Sequence, residues 1–497
     1  MEIAPQYSDE RSAPPATLVI FGASGDLTRR KLVPAVANLA RHRRLPREFA
    51  LVGVARTPMN DEEFQSAVLG GNGLGDLGQL EGGGLRYIAG GYDDPETYKQ
   101  LATVLDEIDQ HRGTAGNRLF YLSTPPQAFE PVINGLAGAG LNRPLGEGFA
   151  RLVIEKPYGT NLASARQLDH CVHSAFEEPQ VFRIDHYLGK ETVQNVLALR
   201  FANSIFQPIW DRSWVDSVQI TVAETLGVGT RGSFYETAGA MRDIVQNHVL
   251  QVLALALMEP PASFSAEAIR NEKVKLLQAI RLPTDRDIDE LAVRGQYTRG
   301  GTRDELMAGY RDEQGVDPLS RTETYAALRL NVDNWRWAGV PFYVRTGKRL
   351  PARVTEVALQ FQRPPHLPIP GNQLTELEAD ALLLRIQPNE GISLRFGAKV
   401  PGHSFRVRTA SMDFSYDGSF REESPEAYER LILDALLGDA TLFIRADEVD
   451  QCWRIVDPII DRWANDYSPI PTYEAASWGP TDADRLIGRS GRTWRNG

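Results

Sequence analysis

A continuous apolar run, Thr17-Leu-Val-Ile-Phe21, leads straight into Gly22-Ala-Ser-Gly25-Asp-Leu27 and a helical stretch from Asp26 to about Arg44. Such a run reads as a strand buried on both faces, which calls for a parallel sheet covered by helices. Glycines in the turn let the backbone fold tightly. The helix start behind them offers free N–H groups and a partial positive charge. The bland reading is a strand–turn–helix joint with no ligand. In this setting the GxxGxL spacing points instead to a phosphate cradle. Gly22, Ala23, Ser24, Gly25, Asp26 and Leu27 are then candidate dinucleotide contacts.

More strands are expected at Phe49–Val54, Leu119–Ser123 and Leu152–Ile154, alternating with helices at Pro95–Asp109 and Pro125–Ala139. The glycine-rich stretch from Gly70 to Gly91 reads as a surface loop. The second strand ends in Arg56-Thr57, where an NAD site usually carries an acid for the ribose 2′-OH. A guanidinium and a hydroxyl suit the extra 2′-phosphate of NADP. Alone, Arg56 would be a surface arginine; beside the glycine turn it favours NADP, with dual NAD use left open.

Beyond Asp185 the pattern changes. Strands are expected at Val215–Ala223, Val354–Phe361, Ala381–Ile386, Ile392–Phe396 and Thr441–Ile444. Helices cluster at Met241–Met258 and Pro425–Leu437. This pattern suits a mainly antiparallel sheet with helices on one side. The expected fold class is α/β plus α+β: a Rossmann-like doubly wound domain over 1–185, then a larger domain over 186–497. A chain of 497 residues is too long for one core. The polar tail after Ser477 reads as loosely held.

Lys+Arg number 54 against Asp+Glu 65, a net charge of −11, which disfavours nucleic acid as a partner. The longest apolar run, Val249 to Met258, is interrupted by Gln251 and too short to cross a bilayer. Two cysteines, Cys171 and Cys452, cannot build a disulfide framework and suit a reducing compartment. Residues Met1 to Pro15 lack the features of a secretory signal. A cytoplasmic protein is expected.

Three polar groupings carry candidate chemistry. Lys156, in Glu155-Lys-Pro-Tyr-Gly159, ends an apolar strand, where open α/β sheets bind ligands; the alternative is an exposed lysine before a turn. In Arg183-Ile-Asp185-His186-Tyr187-Leu-Gly-Lys190-Glu191, the His, Tyr and Lys can surround one phosphate with donors. The alternatives are a solvated turn or a metal site, the latter unsupported by a cysteine pair or HxxxH spacing. His248 lies on a stripe with Met241, Ile244, Val245, Val252 and Leu255. It reads either as a satisfied core histidine or as a general base. On an α-helix Asp243 sits about 140° around from His248, so the orienting carboxylate should come from elsewhere, with Asp185 the natural candidate. Arg345-Thr-Gly-Lys348 adds a basic loop.

Together, in this order, these motifs resemble the glucose-6-phosphate dehydrogenase family. Asp185-His-Tyr-Leu-Gly-Lys-Glu191 is the strongest match, and Arg200-Phe-Ala-Asn203, Pro208-Ile-Trp210 and Ala427-Tyr-Glu-Arg-Leu-Ile432 extend it. The resemblance implies oxidation of glucose 6-phosphate by NADP, with His248 as base, oriented by Asp185. It implies phosphate ligation by His186, Tyr187 and Lys190. Lys156 would lie between sugar and coenzyme, and Glu224, Asp243 and Lys348 would hold sugar hydroxyls, with Arg353 assisting. No metal is required, and a homodimer or homotetramer is implied. Departures include Thr28-Arg29-Arg30, Tyr158 and the neighbours of Glu224; a second, structural NADP site is not expected. Two rival readings are an oxidoreductase for an unphosphorylated sugar and a non-catalytic NADP sensor.

Overall fold

The computed structural model describes residues 11–69, 80, 83–301, 306–366, 377–402, 405–416 and 426–496. The chain forms two compact units that are not continuous in sequence. One comprises Met1–Gly189, Ser263–Arg270 and Pro425–Asp450; the other comprises Lys190–Ala262, Asn271–Ser424 and Gln451–Gly497.

The first unit holds six parallel strands: β1 (Ala16–Phe21), β2 (Phe49–Ala55), β3 (Leu85–Ala89), β4 (Arg118–Leu122), β5 (Ala150–Ile154) and β6 (Val181–Arg183). Their order is β3-β2-β1-β4-β5-β6. This is the doubly wound dinucleotide order, reversing direction between β1 and β4. Every residue of β1, β2 and β4 is buried, which is why these strands read as unbroken apolar runs. Helix Pro95–Arg112 starts on Asp94, whose carboxylate accepts from the Glu96 N–H, and stops at Gly113 with φ +74°.

Two expectations for this unit are corrected. Within the glycine-rich stretch, Leu85–Ala89 is edge strand β3, pairing parallel with β2. A strand so short and glycine-flanked gives little periodic signal. Thr441–Ile444 is a turn. Asp439 accepts from both the backbone N–H and hydroxyl of Thr441, which bends the chain. Ile444 alone bridges back to Arg183 before the next helix begins. The predicted helix start at Pro425 lies outside the described residues; the helix spans Ala427–Leu437.

The second unit is built on a nine-stranded sheet that includes β7 (Val215–Ala223). From one edge it runs Val407–Ser415, Gly391–Lys399, Ala381–Gln387, Val354–Phe361, β7, Pro341–Gly347, Tyr325–Asn331, Ala292–Thr298 and Thr472–Glu474. Pairing is antiparallel except between β7 and Pro341–Gly347 and at the Thr472–Glu474 edge. Packed on the sheet is the segment Met241–Val249, which continues as helix Leu250–Leu257. The carbonyls ending that helix are held by buried donors. Arg200 donates to Met258 O (2.7 Å), Trp210 Nε1 to Ala256 O (2.9 Å) and Trp337 Nε1 to Leu257 O (2.8 Å). These side chains satisfy groups a helix end leaves orphaned. Burial lowers the Arg200 guanidinium to about 9.

The tail after Ser477 is pinned, contrary to expectation. Trp494 is buried and its indole donates to Ala483 O at 2.8 Å. Arg492 makes two 2.7 Å bonds to the Asp216 carboxylate, and the Arg495 N–H donates to Gln219. Scattered aromatic and arginine anchors do this without any periodic pattern.

Candidate active site

In the first unit the candidate residues gather at the carboxyl ends of the parallel strands, where such sheets bind ligands. Gly22 follows β1 with φ +85°, and an added Cβ would lie 2.2 Å from Ser123 O. Only glycine fits that turn. Gly25 N–H donates to Gly22 O, and Thr28 donates its hydroxyl to the same carbonyl, so the loop is closed on itself. The helical backbone beginning at Asp26 carries Leu27 and points its start into the turn. Asp26 is exposed and pairs with Arg30 at 2.8 Å, while Ala23 is buried.

Arg56 and Thr57 are exposed at the end of β2, and the Ser24 and Thr57 hydroxyls are 2.9 Å apart. The glycine turn and the β2 terminus therefore form one surface. Tyr92 belongs there too. The Arg56 guanidinium lies 5.8 Å from its ring centroid, and the Gly22 backbone hydrogen-bonds its hydroxyl. Burial raises the Tyr92 pKa while Arg56 opposes that rise. Sequence reasoning missed Tyr92 because it lies between the stretch read as loop, which ends at Gly91, and the helix expected from Pro95.

Lys156 follows β5 and is half-buried. Its neighbour Glu155 is buried and accepts from Tyr121 at 2.6 Å, with Tyr428 as a second hydroxyl partner. Burial raises the Glu155 pKa, and these hydrogen bonds oppose it. The Tyr428 ring lies parallel to His186, 6.3 Å between centroids. Asp185 is buried just beyond β6 and accepts from the Tyr187 N–H at 2.9 Å. Glu155, Tyr121 and Tyr428 thus support Lys156 and His186 from beneath; nothing local in the sequence joins Tyr428 to them.

In the second unit, strand register gathers the remainder. Gly347 pairs with Ala223, and Val354 pairs with the same Ala223. Glu224 and Lys348 sit one residue after these partners and Arg353 one before, along the edge formed by one end of the three central strands. Glu224 N–H donates to Gly347 O at 3.0 Å, and the Lys348 ammonium pairs with the Glu224 carboxylate. Thr355 pairs with Gln387, whose Oε1 accepts from Lys190 (2.9 Å) and Arg353 (3.3 Å). Gln387 therefore joins two predicted cations and was not anticipated.

His248 is 1% exposed, and Asp243 is half-buried on the same helical segment. The segment Met241–Val249 is π-helical. Its hydrogen bonds link residues five apart, so positions i and i+5 come round to nearly the same side. The angle of about 140° between Asp243 and His248 assumed α-helical phase, which this segment does not have. Tyr235 is a further residue here. Lys348 Nζ lies 5.0 Å from its ring centroid; burial, then Asp243, Glu323 and Glu224, push its pKa up. A cation, two carboxylates and a phenol converging on one edge can hold a polyhydroxylated ligand.

The comparisons with known proteins decide the family. Residues 19–195 match the glucose-6-phosphate dehydrogenase NAD binding domain, and residues 197–495 match the C-terminal domain of the same family. The chain belongs to the glucose-6-phosphate dehydrogenase family. It is 49% identical over 494 residues to glucose-6-phosphate 1-dehydrogenase 2 of Mycobacterium tuberculosis, covering 98% of this chain and 95% of that one. The enzyme of Aggregatibacter actinomycetemcomitans is 48% identical over 483 residues, with 96% and 97% covered. Among solved structures, a glucose-6-phosphate dehydrogenase in complex with glucose 6-phosphate is 35% identical, with a TM-score of 0.87 over 98% of this chain and 99% of the other. The Mycobacterium avium enzyme is 35% identical, with a TM-score of 0.80 over 97% and 99%. A family likeness this complete covers both units and every motif singled out above.

Proposed function

We propose that the protein oxidises glucose 6-phosphate to 6-phosphoglucono-lactone with NADP, the first step of the oxidative pentose phosphate pathway. The carrying observation is near-full-length identity of 49% to an enzyme named for this reaction. The glycine turn fits a dinucleotide, because positive-φ Gly22 lets the chain turn tightly at the carboxyl end of β1 and the helix start behind it faces that turn. Gly22–Leu27 would hold the pyrophosphate, and Arg56 with Thr57 the 2′-phosphate. Bound NADP supplies the hydride acceptor.

This chain's residues do the rest. His248 takes the proton of the C1 hydroxyl as hydride leaves C1, so the C1–O bond becomes the lactone carbonyl. Asp185 orients the imidazole and stabilises its protonated form. His186, Tyr187 and Lys190 hold the phosphate, and Glu224, Asp243, Lys348 and Arg353 the sugar. Lys156 lies between sugar and coenzyme. Phosphate binding, remote from C1, contributes to fixing C1 for reaction. Residues 1–185 serve the coenzyme and 186–497 the sugar phosphate. A homodimer or homotetramer is the assembly proposed, in the cytoplasm, where the Cys171 and Cys452 thiols stay reduced. Among the described residues no helix is long and apolar enough to cross a membrane.

The test follows absorbance of the reduced coenzyme with glucose 6-phosphate or glucose, and NADP or NAD. Reduction with glucose 6-phosphate and NADP is expected. Reduction with glucose alone supports the unphosphorylated-sugar reading, and none with any pair supports the sensor.

A further inference from the structure

The segment bearing Asp243 and His248 starts without a local cap. Helix Gly232–Ala240 breaks at Gly239, where φ is +64° and ψ 175°, and Ala240 has no side chain able to accept from the turn that follows. The N–H groups of Ala240 and Met241 would be orphaned. One residue, far off in sequence, takes both. Glu323 accepts from the Ala240 N–H with its backbone carbonyl (2.9 Å) and from the Met241 N–H with Oε1 (3.0 Å). It is buried, with Arg242 and Arg294 supplying opposing charge. The fit is close on the other side too: a Cβ at Gly239 would lie 2.3 Å from Glu323 Oε1. The adjacent Thr324 accepts from the Lys348 N–H with its carbonyl at 3.0 Å. Glu323-Thr324 therefore ties together the chain segments that bear Asp243, His248 and Lys348.

We propose that Glu323 is a positioning residue for the sugar site, setting the start of the Asp243–His248 segment and its place relative to Lys348. This rests on the assignment of those three residues to the sugar site. The side-chain acceptor, rather than its charge, does the positioning, so glutamine can replace it. A displacement of about 1 Å at a reacting group costs up to about a hundredfold in rate.

The test compares Glu323→Ala, Glu323→Gln and Glu323→Asp by steady-state kinetics and by hydrogen exchange over residues 239–248. Glu323→Ala should lose about tenfold or more in kcat, with KM for NADP within about twofold. The same segment should exchange faster. Glu323→Gln should restore both readouts to near wild type. Wild-type kcat and exchange in Glu323→Ala, or equal loss in Glu323→Ala and Glu323→Gln, overturns the proposal. If Glu323→Ala does not fold, the other two decide. Glu323→Asp, one methylene short of Met241, should be impaired while Glu323→Gln is not, and the opposite order overturns the idea. The exchange readout does not depend on the role of His248. If His248→Asn keeps full turnover, the assignment of the base falls while Glu323 is still judged by exchange.

Discussion

The coenzyme turn and the sugar edge are built in opposite ways. The first is a short run, Gly22 to Leu27, whose shape follows from one buried strand, one positive-φ glycine and one helix start. The second draws on Lys190, Glu224, Asp243, His248, Lys348, Arg353 and Gln387. What joins Glu224, Lys348, Arg353 and Gln387 is strand register, two strands pairing with the same Ala223 and Thr355 with Gln387. A local motif is set by backbone sterics, so one substitution can destroy it. An edge assembled by register has several anchors, so losses there should be graded, except where a residue takes part in the chemistry.

His248→Asn should lie at the far end of that scale. We expect kcat to fall by about 10²–10⁴ with the Kd for glucose 6-phosphate nearly unchanged, measured by turnover and by equilibrium binding. Unchanged turnover would remove the base from the sugar edge. Gly22→Ala tests the other region. The required φ and the contact with Ser123 O should cost about 2–4 kcal/mol and most NADP binding, read by thermal unfolding and coenzyme titration. Full binding by that variant would show that the turn tolerates a side chain.

Arg56→Ala sharpens the comparison within the coenzyme region. KM for NADP should rise about tenfold while KM for NAD stays put, because only NADP carries the 2′-phosphate. An equal rise for both would assign Arg56 to the common part of the coenzyme.

The smallest effect concerns a distant segment folded into the first unit. Burial lifts the Asp434 carboxyl to about 6, with Arg430 opposing. The folded state therefore holds this proton more tightly than the unfolded chain, and the group's contribution to stability is lost as pH rises from about 4 through 6. Asp434→Asn should flatten that part of the stability curve. It should gain on the order of 1 kcal/mol at pH 7, with the lost Arg430 pairing offsetting part of the benefit. An unchanged denaturation profile across pH 4–7 contradicts this.

Much of the frame was legible because burial leaves a continuous pattern. β1, β2, β7 and Val354–Phe361 were read to within a residue: β1 and β2 as buried apolar runs, β7 and Val354–Phe361 by alternation of apolar and polar residues. β3 was not, being five residues at a sheet edge. The Met241–Met258 helix was seen, but its π-helical first half was not, and the angle drawn between Asp243 and His248 assumed an α-helix throughout. Tyr92, Glu323 and Gln387 gave no signal, because an isolated polar residue on a strand end or loop has no periodicity to betray it, and Tyr235 sits in a nine-residue helix too short to show one.

The sequence alone determined the class of fold, the phosphate-binding turn and the family, because those rest on contiguous residues whose spacing is itself the constraint. Only the tertiary structure decided which side chains share an edge, how the helix of His248 is anchored at both ends, and that the tail is pinned by Trp494 and Arg492. Those outcomes depend on strand register and on donors meeting orphaned carbonyls hundreds of positions away, which no local pattern encodes.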